Sequence, residues 1–373
     1  MNFNNWYQTI YNNIKLKNQD NLVLTTFGPS GVLKEENILR IGACSPDEFK
    51  SSARNNTAEI IMLDCEPNSN LNTIISVLRL HEPAVKENYR PHVICAVSDK
   101  NNIILDQLLD VFRARDVTTP VAVWYYFAHA FIALDWYREY KFYSEADLLS
   151  NKKFTYSYIT MNRLVSGPRS YRLMLMSALE ERGITNDALV SYTKFSEDAY
   201  PMPIQIRNRI TQYCSITKRF DVDGEHIDNQ SMHIDLSAHL SSFFNLVTET
   251  CFYEDFNHLT EKVFRPIVMM QPFVLASTAG NLAYLKSYGF KTFDTWIDES
   301  YDKIKNPVKR SEALADVMQY IYSLSTEQQR AMFDEMLPVL LHNRRHFYNN
   351  LYDIVHKEMW GNYDTARQQA LSN

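Results

Sequence analysis

Short apolar runs that alternate with helical spacing are the feature that most constrains the fold of this chain. Between residues 20 and 145 the runs lie at 22–27, 38–43, 59–63, 92–97 and 121–125. The intervening segments 71–80 and 103–112 carry apolar residues three and four positions apart, the spacing of an amphipathic helix. Strands without polar alternation are typical of a parallel sheet that helices cover on both faces. The pattern predicts a Rossmann-like α/β domain.

A second alternation follows the polar stretch 144–153. It predicts strands at 154–160, 189–192, 245–248 and 272–276, and helices at 170–182, 203–220, 235–243, from about 260, and 280–288. Residues 307–360 are helix-rich, with polar breaks near Ser325 and His342. We therefore expect an α/β fold with two Rossmann-like domains at 1–150 and 151–305 facing across a cleft, and terminal helices at 306–373 packing across them. Ligands of such folds bind at the carboxyl ends of the strands.

The composition argues against a glycine-rich phosphate-binding loop and against a strongly basic surface. The 373 residues include only 9 glycines, and the chain contains neither a G-x-G-x-x-G nor a Walker phosphate loop. The net charge of −6 argues against a protein coated in positive charge, but it permits a local basic cleft.

Cysteine usage and the N-terminal residues predict a cytoplasmic protein without membrane insertion. The five cysteines form no C-x-x-C pair and several lie in apolar runs, as expected for reduced core residues. Residues 1–6 lack the basic start and apolar run of a signal peptide. The most apolar stretch, 117–134, contains Pro120 and His129 and is too short to span a bilayer.

The segment 260–267, TEKVFRPI, carries the clearest chemical signal. Thr260 is a good helix N-cap, so the following backbone N–H groups and the Lys262 ammonium would attract a diphosphate. Glu261 would instead accept hydrogen bonds from a pair of ribose hydroxyls. The alternative is an ordinary capped helix with a solvated Glu-Lys pair. Pro266 is unexpected here, because proline beyond the first turn kinks a helix.

This segment resembles the donor site of a group of two-domain glycosyltransferases from tailed phages and bacterial surface-glycan clusters, which are distantly similar to α-1,3-fucosyltransferases. The resemblance implies a fold of GT-B type. The similarity extends over roughly residues 155–300 and includes 161–163, 168–172, 245–250, 271–274 and 280–293. The first 150 residues resemble no family that we can name.

The resemblance implies roles for individual residues. Glu261 would bind the ribose and Lys262 the diphosphate, with Thr260 capping their helix, while Arg163 or Arg169 after an earlier strand would hold phosphate. Glu249, which ends a predicted strand, would meet the sugar or ribose, or be a solvated acid at a loop entry. The chain departs from the fucosyltransferases in having Arg265-Pro266 where they usually have Arg-Asn, so the resemblance does not identify the sugar.

A general base for the acceptor hydroxyl would come from the N-terminal domain. Glu66 and, after it, Asp64 are the candidate catalytic residues because they close a predicted strand, and Asp99 and His129 lie near other strand ends. The D-x-D sequence at 221–223 is a rival metal-binding signal, but it follows a predicted helix rather than a buried strand. We predict no metal site and at most a stimulatory divalent metal.

The predicted function is transfer of a sugar from a UDP- or GDP-linked donor to a hydroxyl acceptor. Kinship with phage-encoded proteins favours 5-hydroxymethylcytosine in phage DNA as acceptor, with a glucosyl- or arabinosyl-type reaction in the host cytoplasm. Arg344 and Arg345 would then contribute to a basic strip, and aromatic residues of 123–143 would stack on a base or pack the core. The alternatives are a surface-polysaccharide or oligosaccharide glycosyltransferase and a non-catalytic glycan- or nucleic-acid-binding relative.

Overall fold

The described residues form two four-stranded parallel sheets. The computed structural model describes residues 22–27, 59–64, 92–102, 121–162, 164–192, 204–214 and 233–372, with only the backbone for 22–27, 59–64, 92–97, 121 and 370–372. The first sheet consists of β1 (Leu22–Phe27), β2 (Glu59–Asp64), β3 (His92–Val97) and β4 (Val121–Tyr125), in that spatial order. These four strands lie within one residue of their predicted positions. The predicted strand at 38–43 and the helices at 71–80 and 103–112 lie outside the described residues.

The second sheet consists of β5 (Tyr156–Asn162), β6 (Leu189–Tyr192), β7 (Ser242–Thr248) and β8 (Phe273–Ala276), in the order β6-β5-β7-β8. All its pairings are parallel, so the α/β prediction is confirmed for both halves. β5 begins two residues later than predicted, because Phe154 adopts a left-handed conformation with φ of 48°. Its ring packs against those of Phe243 and Phe333 instead of joining the strand.

Helices and short 3₁₀ turns connect and follow the strands. In the part of the chain that the structure describes, the helices are α1 (Ala128–Trp136), α2 (Glu145–Ser150), α3 (Tyr171–Glu181), α4 (Ile204–Tyr213), α5 (Leu236–Ser241), α6 (Phe264–Val268), α7 (Asn281–Ser287), α8 (Pro307–Ser323), α9 (Thr326–Asn349) and α10 (Leu351–Ser372). Four 3₁₀ turns occur at Arg138–Phe142, Gly167–Ser170, Glu261–Val263 and Ser300–Lys303 among the described residues. α8 packs against α3 and the sheet, and α9 packs against α6.

The terminal helices confirm one predicted break and correct another. Ser325 begins α9 with a capping box, in which its hydroxyl accepts from Gln328 N–H and Gln328 accepts from Ser325 N–H. The break predicted at His342 is wrong, since α9 continues to Asn349. Arg344 explains the error: its guanidinium donates to backbone carbonyls of Val268, Tyr140 and Tyr143, so this polar cluster lies inside a packed helix. The stretch 144–153 likewise contains α2.

The chain divides into two compact units. Unit 1 comprises residues 1–135 and 353–373, and unit 2 comprises residues 136–352. Unit 2 is therefore inserted, in sequence, between the two parts of unit 1. The domain boundaries expected at 150 and 305 stay predictions.

Residues of α10 complete the core of unit 1 at the end of β4. The rings of Tyr363 and Trp124 lie 5.6 Å apart, and the Asn362 amide donates to the carbonyl of Tyr125 over 2.8 Å. Lys100 also forms an ion pair with Glu358 at 3.0 Å.

Two further observations bear on the sequence-based expectations. Cys214 and Cys251 are buried and belong to no disulfide, as expected for reduced core cysteines. Within the described parts of the chain, no helix combines the length and the apolar character needed to cross a bilayer.

Candidate functional site

The second sheet has a topological switch point at the carboxyl ends of β5 and β7. The chain passes from β5 to β6 on one side of the sheet and to β7 and β8 on the other. Thr248 at the end of β7 donates to the side-chain oxygen of Asn162 at the end of β5, over 2.7 Å. Open α/β sheets bind their ligands outside such a point. The predicted site residues Glu249, Glu261 and Lys262 belong to the segment that leaves this edge.

Two side chains of α3 fix the backbone around the switch point. The buried Arg172 donates to the carbonyl oxygens of Leu164, Thr248 and Glu249 over 2.8, 3.0 and 2.9 Å. The Tyr171 hydroxyl donates to the same Glu249 carbonyl over 2.6 Å, and burial raises its pKa. Arg172 is therefore committed to backbone carbonyls, and its role is to join the two loops.

The predicted phosphate-binding arginines lie next to this point in the chain. Arg163 directly follows β5 and lies outside the described residues. Arg169 lies in the 3₁₀ turn Gly167–Ser170 and is half-buried. Its guanidinium forms no hydrogen bond or ion pair with any other residue that the structure describes, so it is a cation still able to receive a ligand.

Glu249 is fully buried, and both of its carboxylate oxygens contact Thr260. Oε1 accepts from the Thr260 N–H over 3.2 Å, and Oε2 accepts from the Thr260 hydroxyl over 2.5 Å. The Thr260 hydroxyl in turn accepts from the backbone N–H of Lys262, which confirms Thr260 as an N-cap. A 3₁₀ turn begins here and becomes α-helical at Phe264, which puts Pro266 in the first α-helical turn, where no backbone donor is needed.

Lys262 and Glu261 form an ion pair at the start of this helix. The Lys262 ammonium donates to Glu261 Oε1 over 3.0 Å and to the Thr260 hydroxyl over 3.1 Å. Its side chain is 25% exposed, whereas that of Glu261 is 5% exposed. An ammonium has three N–H donors. Within the described structure two of them are used, and the third is left for a ligand.

Arg265 is a component of this site that the sequence analysis noted only as a departure from the fucosyltransferases. Its Nε donates to the buried Tyr137 hydroxyl over 3.0 Å. Burial alone would lower the pKa of the Arg265 guanidinium, but its interactions with Tyr137 and with the Glu261 and Glu249 carboxylates raise it. The i, i+4 spacing from Glu261 to Arg265 was the available signal, because residues so spaced meet on one helix face.

The start of α7, at the carboxyl end of β8, is already capped by Asp302. The Asp302 carboxylate accepts from the Leu282 N–H over 3.0 Å, and its backbone carbonyl accepts from the Gly280 N–H over 2.8 Å. Hydrogen bonds from the backbone at 280–283 oppose the effect of burial, which raises the Asp302 pKa. This helix start therefore holds a protein carboxylate where an anionic ligand would bind.

In unit 1 the candidate bases lie at or near strand ends. Asp64 is the last residue of β2, with only its backbone described, and Glu66 lies outside the described residues. Asp99, just beyond β3, and His129, in α1 after β4, are both buried, and Asp99 accepts from the Asn102 amide over 3.3 Å.

Two further predictions concern the D-x-D metal signal at 221–223 and the basic strip of Arg344 and Arg345. Asp221 and Asp223 lie outside the described residues, and the described part of the chain contains no group of His, Cys, Asp or Glu side chains arranged to hold a metal ion. The predicted basic strip is wrong for Arg344, which is buried, while for Arg345, which is exposed, it stays a prediction. Arg344 is bonded to backbone carbonyls, and Arg345 forms a two-bond pair with Glu145 at 2.8 and 2.6 Å.

Comparisons with known proteins give only remote structural similarity. No family model matches the chain, and no curated protein matches it. Among solved structures, an α,α-trehalose 6-phosphate synthase from Burkholderia multivorans shares 14% identity over 86% of this chain and 69% of that chain, with a TM-score of 0.38. A trehalose-6-phosphate protein from E. coli bound with UDP-2-fluoro glucose shares 12% identity over 90% and 92% of the two chains, with a TM-score of 0.39. A glycosyltransferase from Rickettsia africae shares 11% identity over 90% and 98%, with a TM-score of 0.34.

The charges at the switch point determine what this site needs in order to bind an anion. The carboxylates of Glu249 and Glu261 balance the cations of Lys262 and Arg265, so these four groups together are neutral. Arg172 adds a buried positive charge beside the Glu249 carbonyl, and the half-buried Arg169 is a further described cation that could meet a diphosphate. The Lys262 ammonium can donate to phosphate oxygens, and the Glu261 carboxylate can accept from ribose hydroxyls. A nucleotide presents both of these partners.

Proposed function

We propose that the protein is a nucleotide-sugar-dependent glycosyltransferase of GT-B type whose donor is a UDP- or GDP-linked sugar. The observation that carries the proposal is the Lys262 ammonium, which keeps one donor for a ligand beside the buried Glu261, in the segment leaving the switch point. Lys262 and Arg169 or Arg163 bind the diphosphate, and Glu261 accepts hydrogen bonds from the ribose.

The proposed reaction is a displacement at the anomeric carbon. The acceptor oxygen forms a bond to this carbon as the bond to the diphosphate oxygen breaks, and the nucleoside diphosphate leaves. Fixed cations such as Lys262 stabilise the charge that develops on the departing oxygen, with little reorganisation. The acceptor proton passes to a base of the N-terminal domain, for which Glu66 and Asp64 remain the candidates, together with Asp99 and His129.

Replacement of Lys262 tests this assignment. Removing one donor to a developing oxyanion lowers turnover by about 10²–10³-fold, so Lys262→Ala should lose that factor while its thermal midpoint stays within about 2 °C of wild type. Lys309→Ala, which removes an exposed lysine at the start of α8, is the matched control and should keep full activity. Turnover is measured by mass spectrometry of the product with a panel of UDP- and GDP-sugars. Equal turnover of Lys262→Ala and wild type would remove Lys262 from the site.

We further propose the hydroxymethyl group of 5-hydroxymethylcytosine in phage DNA as acceptor, on the basis of the resemblance to phage-encoded transferases. The second candidate is a surface polysaccharide or oligosaccharide. The burial of Arg344 against backbone carbonyls favours this second candidate, because phosphate-backbone binding depends on accessible cations that can displace counterions.

A direct assay separates the two acceptors. Wild-type protein is incubated with each donor and with modified DNA, plain DNA or an oligosaccharide, and the DNA is digested to nucleosides for mass spectrometry. A hexose or pentose mass gained only on 5-hydroxymethylcytosine supports the DNA acceptor. Transfer to the oligosaccharide alone rejects it and keeps the glycosyltransferase proposal. No transfer to any acceptor, together with no binding of UDP or GDP, rejects both.

A further inference from the structure

The strongest unexplained feature of the donor site is the placement of Glu249. A buried carboxylate retains its charge only when the surrounding groups supply hydrogen bonds or opposite charge. Glu249 receives two hydrogen bonds, and both come from Thr260. Arg265 contributes opposite charge, since its pKa is raised partly by Glu249. With no solvent exposure, the Glu249 carboxylate lies too deep for a sugar or ribose to reach it without rearrangement of the surrounding side chains.

The hydrogen-bond directions connect Glu249 to Lys262. An ionised carboxylate only accepts hydrogen bonds, so the single Thr260 hydroxyl hydrogen is donated to Glu249. The two lone pairs of that hydroxyl are then available to the Lys262 backbone N–H at 3.3 Å and to the Lys262 ammonium at 3.1 Å. The bonds therefore run in one direction, from Lys262 through Thr260 to Glu249.

Reversing one of these bonds would disturb the ammonium. Suppose that the Thr260 hydroxyl accepted a hydrogen bond from the residue at position 249. The hydroxyl hydrogen would then need another acceptor, and one of the two lone pairs that now accept from Lys262 would no longer be available to it. The ammonium would then be held only by Glu261, a neighbour one residue away on the chain. A lysine side chain held by one flexible contact has more rotameric freedom to lose when it binds an anion.

We propose that Glu249 is a positioning residue, which acts through the Thr260 hydroxyl to aim the Lys262 ammonium at the donor diphosphate. This inference rests on the proposed donor site and assigns Glu249 a role different from direct contact with the sugar. Arg172 and Tyr171 support that role from the backbone side, because both bind the Glu249 carbonyl.

Three variants test this relay, the hydrogen bonds from the Lys262 ammonium through the Thr260 hydroxyl to the Glu249 carboxylate. Glu249→Gln keeps the shape of the side chain but supplies a donor where Thr260 needs an acceptor, and Thr260→Val removes the hydroxyl at nearly constant volume. Both should weaken UDP or GDP binding by about tenfold, the scale of one hydrogen bond to a charged group, as measured by calorimetry. Thr260→Ser restores the hydroxyl and should recover most of the affinity lost in Thr260→Val. Asp316→Asn, which alters an exposed carboxylate on α8, is the control for a simple loss of charge.

Coupling to Lys262 separates positioning from a purely structural role. In a Lys262→Ala background, Glu249→Gln should cause no further loss of nucleotide affinity, because the group that it positions is already gone. If Glu249→Gln lowers the affinity by the same factor with and without Lys262, or leaves it unchanged in the wild-type background, the inference is overturned.

A readout without nucleotide distinguishes failure of the relay from failure of the proposed function. Amine acetylation followed by peptide mass spectrometry measures the reactivity of Lys262 relative to Lys309 in the same sample. Loss of the Thr260 bond should raise the Lys262 rate at least about threefold in Glu249→Gln and Thr260→Val, but not in Thr260→Ser, because the side chain then loses one of its two partners and gains rotameric freedom. A raised rate in a protein that binds neither UDP nor GDP supports the relay and rejects the donor site. An unchanged rate in a wild-type protein that does transfer sugar rejects the relay and keeps the function.

Discussion

At the scale of single residues, Lys152 is the most unfavourable charge position that the structure describes outside the candidate site. It precedes β5 and is 6% exposed, with its ammonium donating to the carbonyl of His239 over 3.2 Å. Burial lowers its pKa to about 7. Burial also lowers the pKa of His239 to about 3, while the Gln271 amide oxygen lies 2.7 Å from its Nδ1.

These two pKa values set the pH dependence of stability. Between about pH 7 and the ordinary lysine value, the unfolded chain binds more protons at Lys152 than the folded chain does, so stability rises with pH. For His239 the unfolded state again binds more protons, and stability falls as the pH decreases from the ordinary histidine value towards 3.

Replacing Lys152 by Met removes the first effect. We expect Lys152→Met to stabilise the protein at pH 7 by about 1–4 kcal/mol, because one pKa unit corresponds to roughly 1.4 kcal/mol and part of the gain offsets the lost hydrogen bond. The rise in stability between pH 7 and 10 should also flatten. Urea unfolding at several pH values measures both, with Lys153→Met at the exposed neighbouring position as control. A variant less stable than wild type at pH 7 would show that the ammonium is favourably held.

At the scale of secondary-structure elements, two glycines make opposite predictions. Gly289 ends the turn after α7 with φ of 93°, and an added Cβ would lie 2.7 Å from Cε1 of His346 in α9. Gly361 lies in α10, with no atom within 4 Å of an added Cβ. Gly289→Ala should therefore lower the unfolding free energy by about 1–3 kcal/mol, and Gly361→Ala should raise it by about 0.5–1 kcal/mol.

Thermal unfolding of the two alanine variants beside wild type checks this pair. They change the same atoms, so opposite shifts isolate the effect of backbone conformation and of space. A shift in the same direction for both would contradict the contact between Gly289 and His346.

Elements were more predictable from the sequence than the contacts between them. Uniformly apolar runs located β1 to β4, since such a run can be recognised in the sequence without knowledge of its partners. The break predicted at His342 failed because Arg344 meets carbonyls of Tyr140 and Tyr143, about two hundred residues away in the chain. The cap at Thr260 is local and was found, whereas the bonds from Thr260 to Glu249 and from Arg265 to Tyr137 depend on tertiary packing.

At the scale of the whole molecule, the core of unit 1 depends on a helix that follows unit 2 in the chain. Tyr363 of α10 is fully buried, and its ring contacts those of Trp124 and Trp360, each at 5.6 Å. Tyr363→Ala should destabilise unit 1 by about 3 kcal/mol, the usual effect of removing a buried aromatic ring.

Urea unfolding followed by tryptophan fluorescence detects this loss, because Trp124 lies beside the deleted ring. Tyr320→Ala, at a position 45% exposed on α8, should change stability by less than about 0.5 kcal/mol. Equal effects of the two substitutions would mean that α10 does not contribute to the core of unit 1.

The insertion of unit 2 between the two parts of unit 1 has a consequence for synthesis on the ribosome. Domains fold as they emerge, at about 5–20 residues per second, so the first part of unit 1 leaves the exit tunnel while residues 136–352 are still to be made. During that interval the apolar surface beside Trp124 has not yet received Tyr363. Unit 2, which is continuous in sequence, needs no such wait. The order of synthesis therefore gives this chain a folding order in which the unit that is started first is finished last.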